Sequence, residues 1–148
     1  MSKTLSKRLL AIVDALPLRE GLRVLEVGCG PGAMAREMLR RIGDGHILGI
    51  DRSAKAIDQA RRALTDEIAS GRLSLRQVVV EDFDLLPGEA PYDFAVAVRA
   101  GVLDGRHPEA ERRAISRIAS ALAPGGRLFI DGGDPLREVP LRRSSSVL

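Results

Sequence analysis

Val24-Leu-Glu-Val-Gly-Cys-Gly-Pro-Gly32 reads as an apolar strand that ends on an acid and breaks into a glycine-rich turn. Glycine allows positive φ and lets a ligand come close to the backbone. The N–H groups of a helix that starts beyond such a turn can receive negative charge. A glycine turn alone carries little information, since a bare strand-to-helix turn has the same composition. Two details narrow it. The spacing is G-x-G-x-G, not the G-x-G-x-x-G of dinucleotide binders. Glu26 stands just before the turn, where a carboxylate opposes a pyrophosphate and suits a cation such as an ammonium group.

Working outward, strand-like and helix-like segments alternate, the pattern of an α/β fold with a parallel sheet. Residues 3–16 predict a helix with Leu5, Leu9, Ile12, Val13 and Leu16 on one face, stopped by Pro17. Residues 22–27 predict the first strand and residues 33–41 the helix after the turn. His46 to Ile50 predicts the second strand, ending at Asp51. Ser53 suits the N-cap of a helix reaching about residue 69, with Gly71 beyond it. Residues 73–80 and 92–98 predict strands three and four. Pro108 opens a helix to about residue 122, and residues 127–130 predict the fifth strand. The expectation is one Rossmann-like, doubly wound, mostly parallel sheet of about five strands in a single domain over residues 1–134, with residues 135–148 as a flexible tail. In such a sheet the ligand crevice lies beyond the carboxyl ends of the strands. Those ends carry Glu26, Asp51, Glu81 with Asp82, Arg99 and Asp131.

Composition fits one globular domain. The 148 residues are 45% hydrophobic and 29% charged, with aromatics at 3%. So few aromatic rings argue against base stacking as the main activity. The net charge of +3 comes from arginines interleaved with acids in helical stretches, which reads as solvated faces; no nucleic-acid partner is expected. Arg137, Arg142 and Arg143 make the C-terminus locally basic. Cys29 is the single cysteine, so no intrachain disulfide forms. No apolar run spans a bilayer, and Met1 to Arg8 lacks a signal-peptide pattern; a cytoplasmic location without membrane contact is expected.

On these motifs the chain resembles the class I S-adenosylmethionine-dependent methyltransferases. The likeness covers roughly residues 20–131 and rests on Glu26-Val-Gly-Cys-Gly-Pro-Gly32, Gly49-Ile-Asp-Arg-Ser53, Glu81-Asp-Phe83, Tyr92-Asp-Phe-Ala-Val96 and Leu122-Ala-Pro-Gly-Gly-Arg-Leu128. The resemblance implies S-adenosylmethionine as cofactor and S-adenosylhomocysteine as product. It implies that Glu26 and the turn Gly28, Cys29, Gly30 and Gly32 hold the methionine part, with Cys29 a small turn residue and not a nucleophile. Asp51 would accept both ribose hydroxyls, Arg52 would lie along the adenine, Asp82 would accept from its amine and Phe83 would pack nearby. Arg99 would approach the methionine end or the substrate. The bland alternatives are a turn or capping role for Asp51, a solvated loop acid at Asp82 with Glu81 and Asp84 as rivals, and an ion pair of Arg99 with Glu26, Asp104 or Asp131.

No catalytic residue is assigned. His107, in Asp104-Gly-Arg-His-Pro108, is a general-base candidate by type, against a plain loop or capping role. No metal-ligand spacing occurs. Val98-Arg-Ala-Gly101 stands where an Asn-Pro-Pro-Tyr-type motif would mark base or glutamine N-methylation, so a small-molecule acceptor is expected. The resembled fold has seven strands, and this chain is expected to lack the last two. Strand five would then be an open edge unless the tail or a second copy covers it, hence an expected homodimer. The competing readings are a non-catalytic S-adenosylmethionine-binding module and a nicotinamide-dependent oxidoreductase.

Overall fold

The computed structural model describes residues 5–141. Five strands run parallel: β1 (Arg23–Val27), β2 (His46–Asp51), β3 (Leu73–Gln77), β4 (Tyr92–Ala97) and β5 (Leu122–Asp131). A sixth, β6 (Leu136–Val139), pairs antiparallel with β5. The order across the sheet is β3-β2-β1-β4-β5-β6. The chain therefore winds outward from β1 to β3, then returns to the other side of β1 with β4. The order reverses between β1 and β4, and a crevice opens there at the carboxyl ends of the strands.

Both faces of the sheet are covered, which is why β1 is apolar on consecutive positions instead of alternating. Val24, Ile47, Phe94 and Val96 share one core cluster with residues of α1 (Lys7–Ala15) and α2 (Ala33–Leu39) and with Leu64. Leu25, Leu48, Ala95 and Leu128 share the other with Ala114 and Ile118 of α5 (Pro108–Ser120). Phe94 and Phe129 meet edge to face at 5.6 Å, the favoured geometry for two rings.

Four expectations need correction. The sheet has six strands, not five, because the described part of the expected tail contributes β6; Leu136 packs on the first cluster and Val139 on the second. Strand β5 is thus not an open edge. The third strand stops at Gln77, and Val80–Asp82 forms a 3-10 turn. The helix after Ser53 divides into α3 (Ala54–Ala63) and α4 (Thr65–Ala69), since Leu64 leaves helical geometry (φ −124°, ψ 38°) to bury its side chain. The fifth strand begins at Leu122, five residues early, through its pairing with Tyr92 and a register shift before Phe94. Arg142 and Arg143 lie outside the described residues. Among the described residues no helix is long and apolar enough to cross a membrane.

Candidate functional site

The glycine turn is held from both sides. The N–H groups of Gly28 and Cys29 donate to the Ile50 carbonyl at 2.8 and 3.0 Å, so the turn hangs on the end of β2. The Gly30 N–H donates to Asp51 Oδ2 at 2.9 Å. Gly28, Gly30 and Gly32 have φ of 76°, 54° and 94°, a region that side chains rarely enter. Gly49 answers a different need: a Cβ there would lie 3.0 Å from Cys29 Cβ and 3.1 Å from its Sγ. The thiol is buried against Gly49 of β2, and burial, with Glu26 and Asp51 adding to it, pushes its pKa up. A protonated, enclosed thiol is no nucleophile.

Beyond this turn lies a cavity of about 840 Å³ at the switch point of the sheet. Glu26, Gly28, Cys29, Gly30, Asp51, Arg52 and Arg99 all line it. Glu26 is 4% exposed, and its Oε1 has no hydrogen-bond partner. Burial first, and the Asp51 charge second, raise its carboxyl to about 8. A buried acid without a partner is unfavourable, and a cation beside it would restore the balance. Asp51 uses Oδ1 for the Ser53 N–H at 2.9 Å and Oδ2 for Gly30, which leaves a lone pair on each oxygen. Ser53 itself takes the capping role, accepting from the Ala56 N–H at 3.1 Å.

Three residues expected in the site stand outside it. Gly32 caps α2 and packs against Leu64, whose Cδ1 would be 2.7 Å from any added Cβ. Asp82 faces away to an ion pair with Arg113 at 3.1 Å, while Arg113 Nε also donates to the Glu81 carbonyl at 2.9 Å. Phe83 is fully buried in the second core cluster, under the Arg76 guanidinium. The 3-10 turn at Val80–Asp82 accounts for both, because it hands Asp82 to α5 and leaves Glu81 on the cavity wall. Val78, Val79 and Leu9 of α1 add apolar lining that no sequence motif marked. His107 and Arg106 reach the cavity from the loop before α5, where Arg106 pairs with Asp104 at 2.5 Å.

Arg99 follows β4 with φ 59°, a left-handed conformation that costs a non-glycine residue about 1 kcal/mol or more. Its backbone N–H donates to Asp131 Oδ1 at 3.2 Å. Of the ion pairs considered for its side chain, none forms among the described residues; Asp131 Oδ2 is taken by Arg8 at 2.7 Å.

The profile of a family described as "Methyltransferase domain" matches residues 24–126. An O-methyltransferase of Aspergillus nomiae is 33% identical over 136 residues, covering 88% of this chain and 57% of that protein. A protein-L-isoaspartate O-methyltransferase of Methylorubrum populi is 37% identical over 131 residues, 88% of this chain and 54% of its own length. Among solved structures, an S-adenosylmethionine-dependent methyltransferase from Thiobacillus denitrificans, in complex with S-adenosyl-L-homocysteine, superposes with a TM-score of 0.66 at 26% identity, covering 85% of this chain and 48% of that one. The chain spans about half the length of these relatives.

Proposed function

The chain belongs to the methyltransferase-domain family, and from that premise we propose that it binds S-adenosylmethionine in the cavity at the glycine turn and transfers its methyl group to a small-molecule acceptor. The observation that carries the reading is Glu26, a buried carboxyl with an unpartnered Oε1 on the wall of a cavity built around exposed backbone. A cationic amine is the group that such a site favours, and the amino acid end of S-adenosylmethionine carries one.

What the cofactor supplies when bound is a methyl group made electrophilic by a sulfonium. The chain's own residues supply position. Glu26 holds the amine, and Gly28 and Gly30, beside Cys29, give it room to approach. Asp51 offers its remaining lone pairs to the two ribose hydroxyls. Arg52 and Val79 flank the adenine. Glu81 takes the adenine amine in place of Asp82, because Glu81 lines the cavity and Asp82 is committed to Arg113. His107 stands on the same wall and can receive a proton from an acceptor that must lose one. Alignment for in-line attack then accounts for most of the acceleration.

Calorimetry with S-adenosylhomocysteine tests this directly. Binding is expected, and Asp51→Ala should weaken it by roughly tenfold or more, the loss of two charge-assisted hydrogen bonds. Stabilisation by NAD and not by S-adenosylhomocysteine would remove the reading. Transfer of labelled methyl to an acceptor separates an enzyme from a non-catalytic binding module. The setting we propose is the cytoplasm, without nucleic acid as partner. A homodimer is the alternative assembly, with β6 as the edge left for it; a single-chain mass in light scattering removes it.

A further inference from the structure

We propose that the methyl acceptor carries a carboxylate, and that Arg99 and Arg137 hold it in a second cavity adjoining the first; this rests on the methyl-transfer reading above. The second cavity, about 510 Å³, lies beyond the carboxyl ends of β4 and β5. That is room for a small molecule. Arg99, Ala100 and Gly101 line both cavities, so the second opens beside the place assigned to the donor. A transferred group needs donor and acceptor in contact, and Arg99 stands at that boundary.

The register of the sheet explains how Arg137 arrives there. Ala97 pairs with Ile130, and Ile130 pairs with Arg137. Residues opposite each other share a face, so Arg137 continues the row that Ala97 and Ile130 bury in the second core cluster. The row leads out from α5's side of the sheet to the cavity wall.

Charge decides the ligand class. Two acids line this cavity, and both are committed. Asp131 accepts from Arg8 at 2.7 Å and from the Arg99 N–H at 3.2 Å. Asp104 accepts from Arg106 Nε at 2.7 Å. Arg8 does not line the cavity, and Arg106 lines only the first. The Arg99 and Arg137 guanidinium groups have no acidic partner among the described residues. Two uncompensated planar cations lining one small cavity suit the two oxygens of a carboxylate. The nearby Asp104 and Asp131 disfavour an anion of higher charge, which sets a carboxylate ahead of a phosphate. The left-handed backbone of Arg99, tied to Asp131, fixes the root of its side chain at the boundary.

The test begins with S-adenosylhomocysteine on the wild-type chain, measured by calorimetry. Benzoate and inorganic phosphate are then titrated separately into the saturated protein, following the arginine Nε–H signals by NMR. Arg137→Gln assigns one signal, and Arg99→Gly, which relieves the backbone strain, assigns the other. Benzoate is expected to bind, to move both signals, and to bind roughly tenfold or more weakly in either variant, the loss of a charge-assisted pair. Arg137→Gln should keep its affinity for S-adenosylhomocysteine. Benzoate that fails to bind the saturated wild type, or binds both variants equally well, overturns the proposal while the cofactor reading stands. Phosphate binding in preference to benzoate overturns the carboxylate assignment. Absence of S-adenosylhomocysteine binding at the first step overturns the function beneath it, and this proposal with it.

Discussion

Glu26 sets the pH behaviour of the site. Burial, and after it the Asp51 charge, raises its carboxyl to about 8 from the ordinary 4.5. The folded chain therefore binds more protons than the unfolded chain between those values. Stability from this group is fully present below the ordinary value and is lost as pH rises through the folded one. Each unit of such a difference corresponds to about 1.4 kcal/mol, so the effect is large for one residue. Glu26→Gln should gain on the wild type in urea unfolding as pH rises from about 5 to about 9, with the gain levelling off above the folded pKa. A difference between the two proteins that does not change with pH would mean that Glu26 does not titrate in this range. The same geometry predicts proton release on ligand binding. A cation beside Glu26 favours its ionised form, so S-adenosylhomocysteine binding near neutral pH should expel most of one proton, read as a binding enthalpy that varies with the ionisation enthalpy of the buffer.

At the scale of elements, the glycine turn divides its labour between ligand and core. A Cβ at Gly30 meets nothing within 4 Å, whereas one at Gly32 would lie 2.7 Å from Leu64 Cδ1 and 3.4 Å from Ala60 Cβ. Gly30→Ala should cost about 1 kcal/mol of stability from its positive φ and weaken S-adenosylhomocysteine. Gly32→Ala combines strain with a clash against α3 and Leu64, and should lower the unfolding midpoint clearly further. Equal losses of stability in the two variants would contradict this division. The strand, acid and turn around Glu26, and Asp51 at the end of β2, are legible because short continuous apolar runs and glycine spacing are local signals. Asp82 and Phe83 are not, because the 3-10 turn leaves Val80 and Glu81 on the cavity wall and puts Asp82 beside Arg113 of α5, 31 residues away in sequence. Strand β6 was missed since Leu-Arg-Glu-Val is short and charged at its centre. Only its packing against β5 makes it a strand. Arg99 was legible as a strand-end cation, but its joint position with Arg137 needs the β5–β6 register.

At the scale of the whole molecule, the sheet ends at β3 on one side and at β6 on the other. An exposed edge is a template for another chain, and proteins blunt it with short strands, charges and proline. Strand β6 has all three: four residues, Arg137 and Glu138 at its centre, and Pro135 and Pro140 on its flanks. Proline has no N–H to extend the ladder, so a second copy could pair only across this short segment. Pairing of a second copy at this edge is therefore disfavoured, and one chain per particle is the expected outcome. Hydrogen exchange checks it. Alternate amides of Leu136–Val139 that face away from β5 should exchange fast at every protein concentration, while those bonded to β5 are slower. Protection of the outward amides that fades on dilution would instead identify an edge-to-edge dimer. The central strands β1 and β4 should be the slowest throughout, since both lie inside the sheet between the two core clusters.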